Sequence, residues 1–262
     1  LLAIKTTELT VADYMTPRPI TVNKGYSLQD AVNLMAEHDI GNLVIEERRK
    51  PIGILTEREI LSHLVNHKKI QNISVGKIKP TKFVAINLQS RIIDAAKIMI
   101  SQKSRLLVFD DNKKFVGIIT ATDMVRAFRR TTNNPDLDEF VSKKLYSVKY
   151  DKSVLEACKI MNDKRIGSVI VTKDDQPFGM FTERDLLVNV LLNESDVQNP
   201  VGGYCTSPLI TVGARIKGSD AAKIMSKHNI KRLGLTKGKK LFGIVTARDI
   251  VDAFQWSFGD ET

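Results

Sequence analysis

Gly179-Met-Phe-Thr-Glu-Arg-Asp185 is one of four copies of a phrase that this 262-residue chain repeats. The others are Gly53-Ile-Leu-Thr-Glu-Arg-Glu59, Gly117-Ile-Ile-Thr-Ala-Thr-Asp123 and Gly243-Ile-Val-Thr-Ala-Arg-Asp249, so successive copies start 64, 62 and 64 residues apart. A methionine stands 18 residues before each glycine, at Met35, Met99, Met161 and Met225. Two landmarks that keep one separation in four copies belong to one rigid unit, and the chain is an internal repeat.

Around each phrase the local signals give one order of elements. A short β-type stretch comes first, as in Pro19-Ile-Thr-Val22 and Leu209-Ile-Thr-Val212. A helix start follows. Ser27-Leu-Gln-Asp30 and Ser153-Val-Leu-Glu156 have the form of capping boxes, in which the serine oxygen and the later carboxylate satisfy free backbone N–H groups. The helix carries apolar residues at i, i+3 and i+4, for example Ala31, Leu34, Met35 and Ala95, Ile98, Met99. Two strand-like runs joined by a polar turn come next, such as Leu43-Val-Ile45 to Ile52-Gly-Ile-Leu55 and Val169-Ile-Val171 to Phe178-Gly-Met-Phe181. A second helix is predicted at the Thr-x-x-Asp/Glu step. The expected fold class is α/β (α+β), with four tandem strand, helix, strand, strand, helix repeats at 8–66, 72–130, 138–194 and 198–258.

The likeness among copies alternates. Repeats one and three share Ile-Gly (Ile40-Gly41, Ile166-Gly167) and Thr-Glu-Arg (Thr56-Glu-Arg58, Thr182-Glu-Arg184). Repeats two and four share Asp-Ala-Ala-Lys-Ile-Met (Asp94 to Met99, Asp220 to Met225), Arg-Leu (Arg105-Leu106, Arg232-Leu233) and Ala-Phe (Ala127-Phe128, Ala253-Phe254). An A-B-A-B order means that the duplicated object was already a pair. Two modules, 1–131 and 137–262, are expected, with the polar stretch 129–138 between them.

The chain is long enough to bury a real core. Its 42% hydrophobic and 27% charged residues are those of a soluble globular protein. Leu186-Leu-Val-Asn-Val-Leu-Leu192 is the nearest approach to a membrane span and falls short of the roughly 18 apolar residues required. Leu1-Leu-Ala-Ile-Lys5 has neither an initiator Met nor a signal pattern, which is expected of a trimmed chain with a cytoplasmic location. Cys158 stands where sister repeats have Ala96 and Ala222 and reads as a small core residue. His63 and His67 form the one histidine pair at i,i+4 spacing, without the carboxylate or cysteine that would complete a metal site. The net charge of +10 favours anionic partners by long-range attraction. Many of these charges fall in apparent turns, such as Arg48-Arg-Lys50 and Lys237-Gly-Lys-Lys240, and read as a solvated face.

Thr-x-x-Asp/Glu after a strand is in the first place a good helix start, with threonine as N-cap. Three features point further. The capping box prefers Glu or Gln at its last position, yet three copies carry the shorter Asp. A helix N-terminus behind a glycine presents N–H groups that suit a phosphate. An arginine adjoins the acid at Arg58, Arg184 and Arg248. Aspartate is a good acceptor for two neighbouring hydroxyls, as in a ribose. Together these features fit a nucleoside with an anionic tail.

The repeat of about 60 residues ending in Gly-hydrophobic-x-Thr-x-x-Asp, and occurring in pairs, resembles the cystathionine-beta-synthase (CBS) domain. The resemblance covers nearly the whole chain, and the four-repeat layout is similar to that of the gamma subunit of the AMP-activated kinase. It implies that pairs of repeats form Bateman modules and that the Asp holds a ribose diol while the adenine lies in a cleft between paired repeats. It further implies that Thr182 and Asp185 work with Thr206, Ile210, Lys231 and Arg232, and Thr246 and Asp249 with Ile166 and Gly167. Thr120 and Asp123 would work with Thr16, Ile20 and Ile40, and Arg105 would supply a phosphate contact near the first site, where Thr56 and Arg58 accompany the divergent Glu59.

The repeats place no serine or cysteine nucleophile beside a histidine base and no paired carboxylates at matching positions, so an enzyme is not expected. The expected function is a regulatory sensor for AMP, ADP, ATP or S-adenosylmethionine that signals to an effector protein, with a homodimer as the family's precedent. A nucleic-acid-binding protein, motivated by the charge, and a constitutive scaffold remain the alternatives. Against the former stands an aromatic content of 6%, low for a stacking platform.

Overall fold

The computed structural model describes residues 9–102, 105–129 and 134–257. The segment Leu1 to Lys5, the expected limits at 1, 8, 130, 131, 258 and 262, and the middle of the expected boundary at 129–138 lie outside the described residues.

After a short helix α1 (Val11–Tyr14) and strand β1 (Thr16–Pro17), the chain runs four times through the predicted order. The first repeat is β2 (Thr21–Asn23), α2 (Leu28–Glu37), β3 (Asn42–Glu47), β4 (Lys50–Thr56) and α3 (Glu57–His67). The second is β5 (Phe83–Asn87), α4 (Ile92–Ser101), β6 (Arg105–Phe109), β7 (Phe115–Ile119) and α5 (Ala121–Phe128). The third is β8 (Ser147–Lys149), α6 (Val154–Lys164), β9 (Ser168–Lys173), β10 (Gln176–Thr182) and α7 (Glu183–Asp185), which continues as a π-helical segment Leu186–Leu191. The fourth is β11 (Thr211–Gly213), α8 (Gly218–His228), β12 (Arg232–Lys237), β13 (Lys240–Thr246) and α9 (Ala247–Ser257). In every repeat the first strand runs parallel to the second and the second antiparallel to the third.

Within the described residues the chain forms two compact units, each with one repeat from either half of the sequence. The odd unit comprises Ile20–Lys82 and Leu145–Ile210, that is, repeats one and three. The even unit comprises 9–19, 83–144 and 211–257, that is, repeats two and four. The odd unit packs α3 on α6 and α2 on the π-helical segment, and the even unit packs α4 and α5 on α9. The first helix of each repeat buries the predicted stripe, as in Ala31, Val32 and Met35 of α2 or Ala95, Ala96 and Met99 of α4. Cys158 occupies the same stripe of α6, fully buried, and burial, then the nearby Glu183, pushes its thiol up to about 12. Ser153 and Glu156 close the expected capping box, whereas Ser27 only accepts from Asp30 N at 3.4 Å. No helix among the described residues is long and apolar enough to cross a membrane.

The segment leading into each repeat folds onto its neighbour. Residues 9–17 bond to repeat two, with Ala12 N to Leu88 O at 2.9 Å, Ile92 N to Leu9 O at 2.8 Å, and β1 along β7. Residues 73–81 bond to repeat one through Leu28 N to Ile73 O and the Ile54–Thr81 bridge, and Pro135 and Ser142 bond to repeat four. Asn199 and Thr206 do the same for repeat three. This exchange explains the glycine of the repeated phrase. A Cβ at Gly53 would lie 2.6 Å from Pro80, at Gly117 2.6 Å from Met15 Sδ, at Gly179 2.6 Å from Thr206 O, and at Gly243 2.6 Å from Val141. Bare Cα atoms let the leaders cross the third strands at van der Waals distance.

His63 on α3 is buried, its Nε2 has no hydrogen-bond partner among the described residues, and its ring stacks on His67 at 4.2 Å. Burial, then the charge of His67, lowers its pKa below the ordinary 6.5. The folded state therefore holds His63 neutral while the unfolded chain takes up the proton, so this contribution to stability is complete above the unfolded pKa and is lost as pH falls below it toward the folded value. The melting temperature of the unaltered chain is expected to fall more steeply than that of His63→Gln between about pH 7 and about pH 5. Parallel pH profiles for the two proteins would show instead that His63 is not held neutral.

Candidate functional site

The third strand of each repeat delivers its threonine to the helix start in extended backbone, with φ −123 and ψ 167 at Thr182 and nearly the same values at Thr56 and Thr120. In each copy the acid then folds back on the cap. Asp249 Oδ2 accepts from Thr246 N at 2.7 Å and from its hydroxyl at 2.8 Å. Asp185 and Asp123 repeat this at 2.8 and 2.7 Å. Glu59 Oε2 accepts from Thr56 N at 2.9 Å and from its hydroxyl. The shorter Asp side chain thus closes the capping box, as Glu59 does in the first repeat. One carboxylate oxygen is committed to the fold in every copy, and only the other can serve another partner.

That second oxygen is where the copies differ. Glu59 Oε1 accepts from the Thr81 hydroxyl at 2.7 Å, and Asp185 Oδ1 from the Thr206 hydroxyl at 2.8 Å and Asn189 at 3.3 Å. Asp123 Oδ1 is held by Arg126 at 2.5 Å, and Arg126 also bonds to Tyr14 O. Asp249 Oδ1 has no hydrogen-bond donor among the described residues. Burial raises the Asp249 pKa against the Thr246 bonds that lower it, with Asp252 adding to the rise and Arg232 opposing it.

The arginines of the phrase divide the same way. In the odd unit Arg58 Nε lies 2.7 Å from Glu183, and Arg184 Nε donates to Glu57 at 2.7 Å while its Nη1 meets Asp39. Burial disfavours the Arg184 charge, but Glu57 and Asp39 outweigh it and raise the pKa. In the even unit Arg248 donates from Nη2 to Met99 O at 2.9 Å and forms no ion pair among the described residues. Desolvation of its head, then the like charge of Arg105, pushes its pKa down.

The remaining candidates are placed within single units. In the odd unit, Ile20, Ile40 and Ile166 pack against the core, Gly167 O accepts from Glu183 N at 3.2 Å, and Ile210 is half-buried. In the even unit, Thr16 pairs with Ile118, Lys231 O accepts from Ala247 N at 2.9 Å, and Arg232 opens β12. Thr81, Arg126 and Asn189 engage the acids but escaped the sequence reading. For Thr81 a signal was present: Thr16, Ser142 and Thr206 each precede their own repeat's glycine by 37 residues and Thr81 by 36. Asn189 lies in the π-helical segment, a geometry that no local sequence pattern marked.

A family model for the CBS domain matches residues 11–66, 75–130, 137–191 and 201–255. The chain belongs to the CBS domain family. Each matched CBS repeat includes part of the leader that folds onto a neighbouring repeat. The uncharacterized protein MJ1404 of Methanocaldococcus jannaschii is 25% identical over 261 residues, covering 92% of this chain and 61% of its own length. The chain thus spans about three fifths of that relative. Among solved structures, protein MJ1225 of the same organism, proposed as an archaeal homologue of g-AMPK, superposes with a TM-score of 0.79 at 16% identity over 94% of this chain and all of its own. An uncharacterized conserved protein from Pyrococcus horikoshii gives 0.66 at 18% identity, covering 93% of this chain and 99% of that one. At such identities the likeness is one of fold.

Proposed function

We propose that this CBS protein is a non-catalytic regulatory sensor that binds an adenine nucleotide at the Thr246 to Asp249 step. The observation that carries the reading is Asp249. Its Oδ2 is fixed by Thr246, while its Oδ1 lacks a donor among the described residues, in a half-buried position where a ribose hydroxyl would supply one. Arg232 acts on the same carboxylate. Ligand occupancy alters an effector protein's affinity only if the ligand binds two arrangements of the repeats unequally. In this reading the chain works in the cytoplasm and hands its state to that effector, with self-association into a homodimer as one route.

The test is a thermal-shift panel of AMP, ADP, ATP, GTP, S-adenosylmethionine and a short single-stranded oligonucleotide. At about a hundred times its dissociation constant an adenine ligand is expected to add roughly 2.7 kcal/mol. Asp249→Ala is expected to abolish the gain. No stabilisation by any nucleotide would overturn the sensor reading. Stabilisation by the oligonucleotide alone, with affinity falling steeply in salt, would favour nucleic-acid binding through the +10 charge.

A further inference from the structure

Charge is divided unequally along the chain. The odd unit holds 17 Lys and Arg against 16 Asp and Glu, so it supplies +1 of the net +10 and the remaining sequence supplies +9. Repeat four carries much of that excess: between Asp220 and Asp249 there are eight Lys and Arg and no acid.

The turn between the last two strands shows where the repeats part. In repeat one Lys24, just past β2, meets Glu47, and in repeat two Asn87 donates to Asp111 at 2.8 Å. Repeat three has Asp174 and Asp175 in the turn and holds Lys173 over the Tyr150 ring, 5.1 Å from its centroid. Repeat four has Lys237-Gly-Lys-Lys240. The register adds to this charge, because Gly213 pairs with Thr236, Ala214 N donates to Thr236 O at 2.9 Å, and Arg215 comes next. Arg215, Lys237, Lys239 and Lys240 are exposed, and none of them forms an ion pair among the described residues. Lys237 stands directly opposite Lys240, where repeat one sets Glu47 opposite Lys50 and repeat three sets Lys173 opposite Gln176. Like charges in that relation oppose folding, a cost the other turns do not carry.

The same sheet has an open edge. Its order is β11-β12-β13, and among the described residues no strand or bridge pairs with the outer side of β11. Thr211 and Gly213 are exposed, and a Cβ at Gly213 would have nothing within 4 Å. Thr211-Val-Gly213 contains none of the charges or prolines that blunt such an edge. Free backbone groups along an edge are completed in register by another polypeptide. A nucleic acid would meet phosphate-binding groups at one turn and little to stack on, since Phe242, the one aromatic of these three strands, is half-buried.

We infer that the free edge of β11 and the cationic end of its sheet form a docking surface for an extended acidic segment of a partner protein. The segment adds a strand beside β11 and sets its carboxylates against Arg215, Lys237, Lys239 and Lys240. This inference does not depend on the nucleotide reading; it names the surface through which an effector is engaged.

Fluorescence anisotropy of the full chain with a labelled short peptide alternating Thr and Glu tests this, with a short DNA duplex as competitor. The peptide is expected to bind, and more weakly as salt rises. Lys237→Glu with Lys239→Glu and Lys240→Glu is expected to weaken it by roughly tenfold or more, and Lys239→Glu alone by a smaller factor. Reversing Arg48, Arg49 and Lys50 in the turn of repeat one is expected to leave the affinity within about twofold. The same peptide with alternate backbone nitrogens methylated keeps its charge but loses edge pairing, and is expected to bind roughly tenfold more weakly. No binding of the peptide, equal binding by the triple variant with its melting temperature unchanged, equal binding of the methylated peptide, or displacement by the duplex at lower concentration than by unlabelled peptide would each overturn the inference. The triple variant is expected to keep the wild-type thermal shift with AMP, so failure of the docking surface and failure of the nucleotide reading are told apart.

Discussion

Arg184→Met is expected to destabilise the protein by about 3 kcal/mol, near the lower end of the cost of breaking a buried ion pair. The guanidinium bridges Glu57 and Asp39, with its side chain 24% exposed and that of Glu57 10% exposed, so the pair is neither wet enough to be negligible nor fully dry. Removing the cation leaves the Glu57 carboxylate in a site shaped around a positive charge. Adding Glu57→Leu to Arg184→Met is expected to recover most of the loss, because two apolar groups need no counter-charge where a carboxylate deprived of its arginine does. Chemical denaturation of the wild type, the two single variants and the double variant gives the coupling directly. A coupling near zero would show that the Arg184–Glu57 ion pair is a surface contact of little consequence. The same series titrated with AMP separates stability from function, since the odd unit is expected to unfold more readily without weakening the even unit's ligand.

The repeat, its order of elements and its A-B-A-B likeness were legible because each rests on local signals. Ser153 with Glu156 announces a helix, alternating apolar runs announce strands, and the invariant spacing from methionine to glycine fixes the unit. Relations between distant residues were harder to read. Arg58 and Arg184 sit beside the acid in the phrase and suit a phosphate by their chemistry, yet the folded chain turns them to Glu183 and Glu57, each more than a hundred residues away. The pattern held a hint, because Thr-Glu-Arg occurs only in the two repeats that exchange these charges. The glycine of the phrase has a role of the same long-range kind. Its lack of a side chain fits a phosphate loop, but in this fold it admits the crossing leader, whose path is a property of the tertiary structure. Aspartate is shorter than the Glu or Gln that a capping box prefers, and its 2.7 to 2.8 Å bonds to the cap N–H show that the turn is tight enough for it.

Phe254→Ala is expected to carry the largest single effect, about 3–5 kcal/mol, as a fully buried aromatic is replaced by a methyl in a packed helical interface. Its ring stacks on Phe128 with centroids 4.5 Å apart and planes 9° from parallel, and both side chains are excluded from solvent. Phe128 ends α5 and Phe254 lies in the last turn of α9, and the contact of these helices joins repeats two and four, so the shared Ala-Phe of those repeats is explained by the partner each presents to the other. Gly218 at the head of α8 stands close to Phe254 as well, its position for a Cβ being 3.0 Å from the ring, which leaves little room for a collapse that would refill the space. A double-mutant cycle with Phe128→Ala is expected to return a favourable coupling of roughly 0.5–1.5 kcal/mol beyond area burial. Because Arg248 and Asp249 project from the first turn of the same α9, the variant is also expected to weaken AMP binding even at temperatures where the chain remains folded. If the melt shifts by several kcal/mol and the affinity does not move, the first turn of α9 is held by its own cap, and the Thr246 to Asp249 step is independent of the helix's far end.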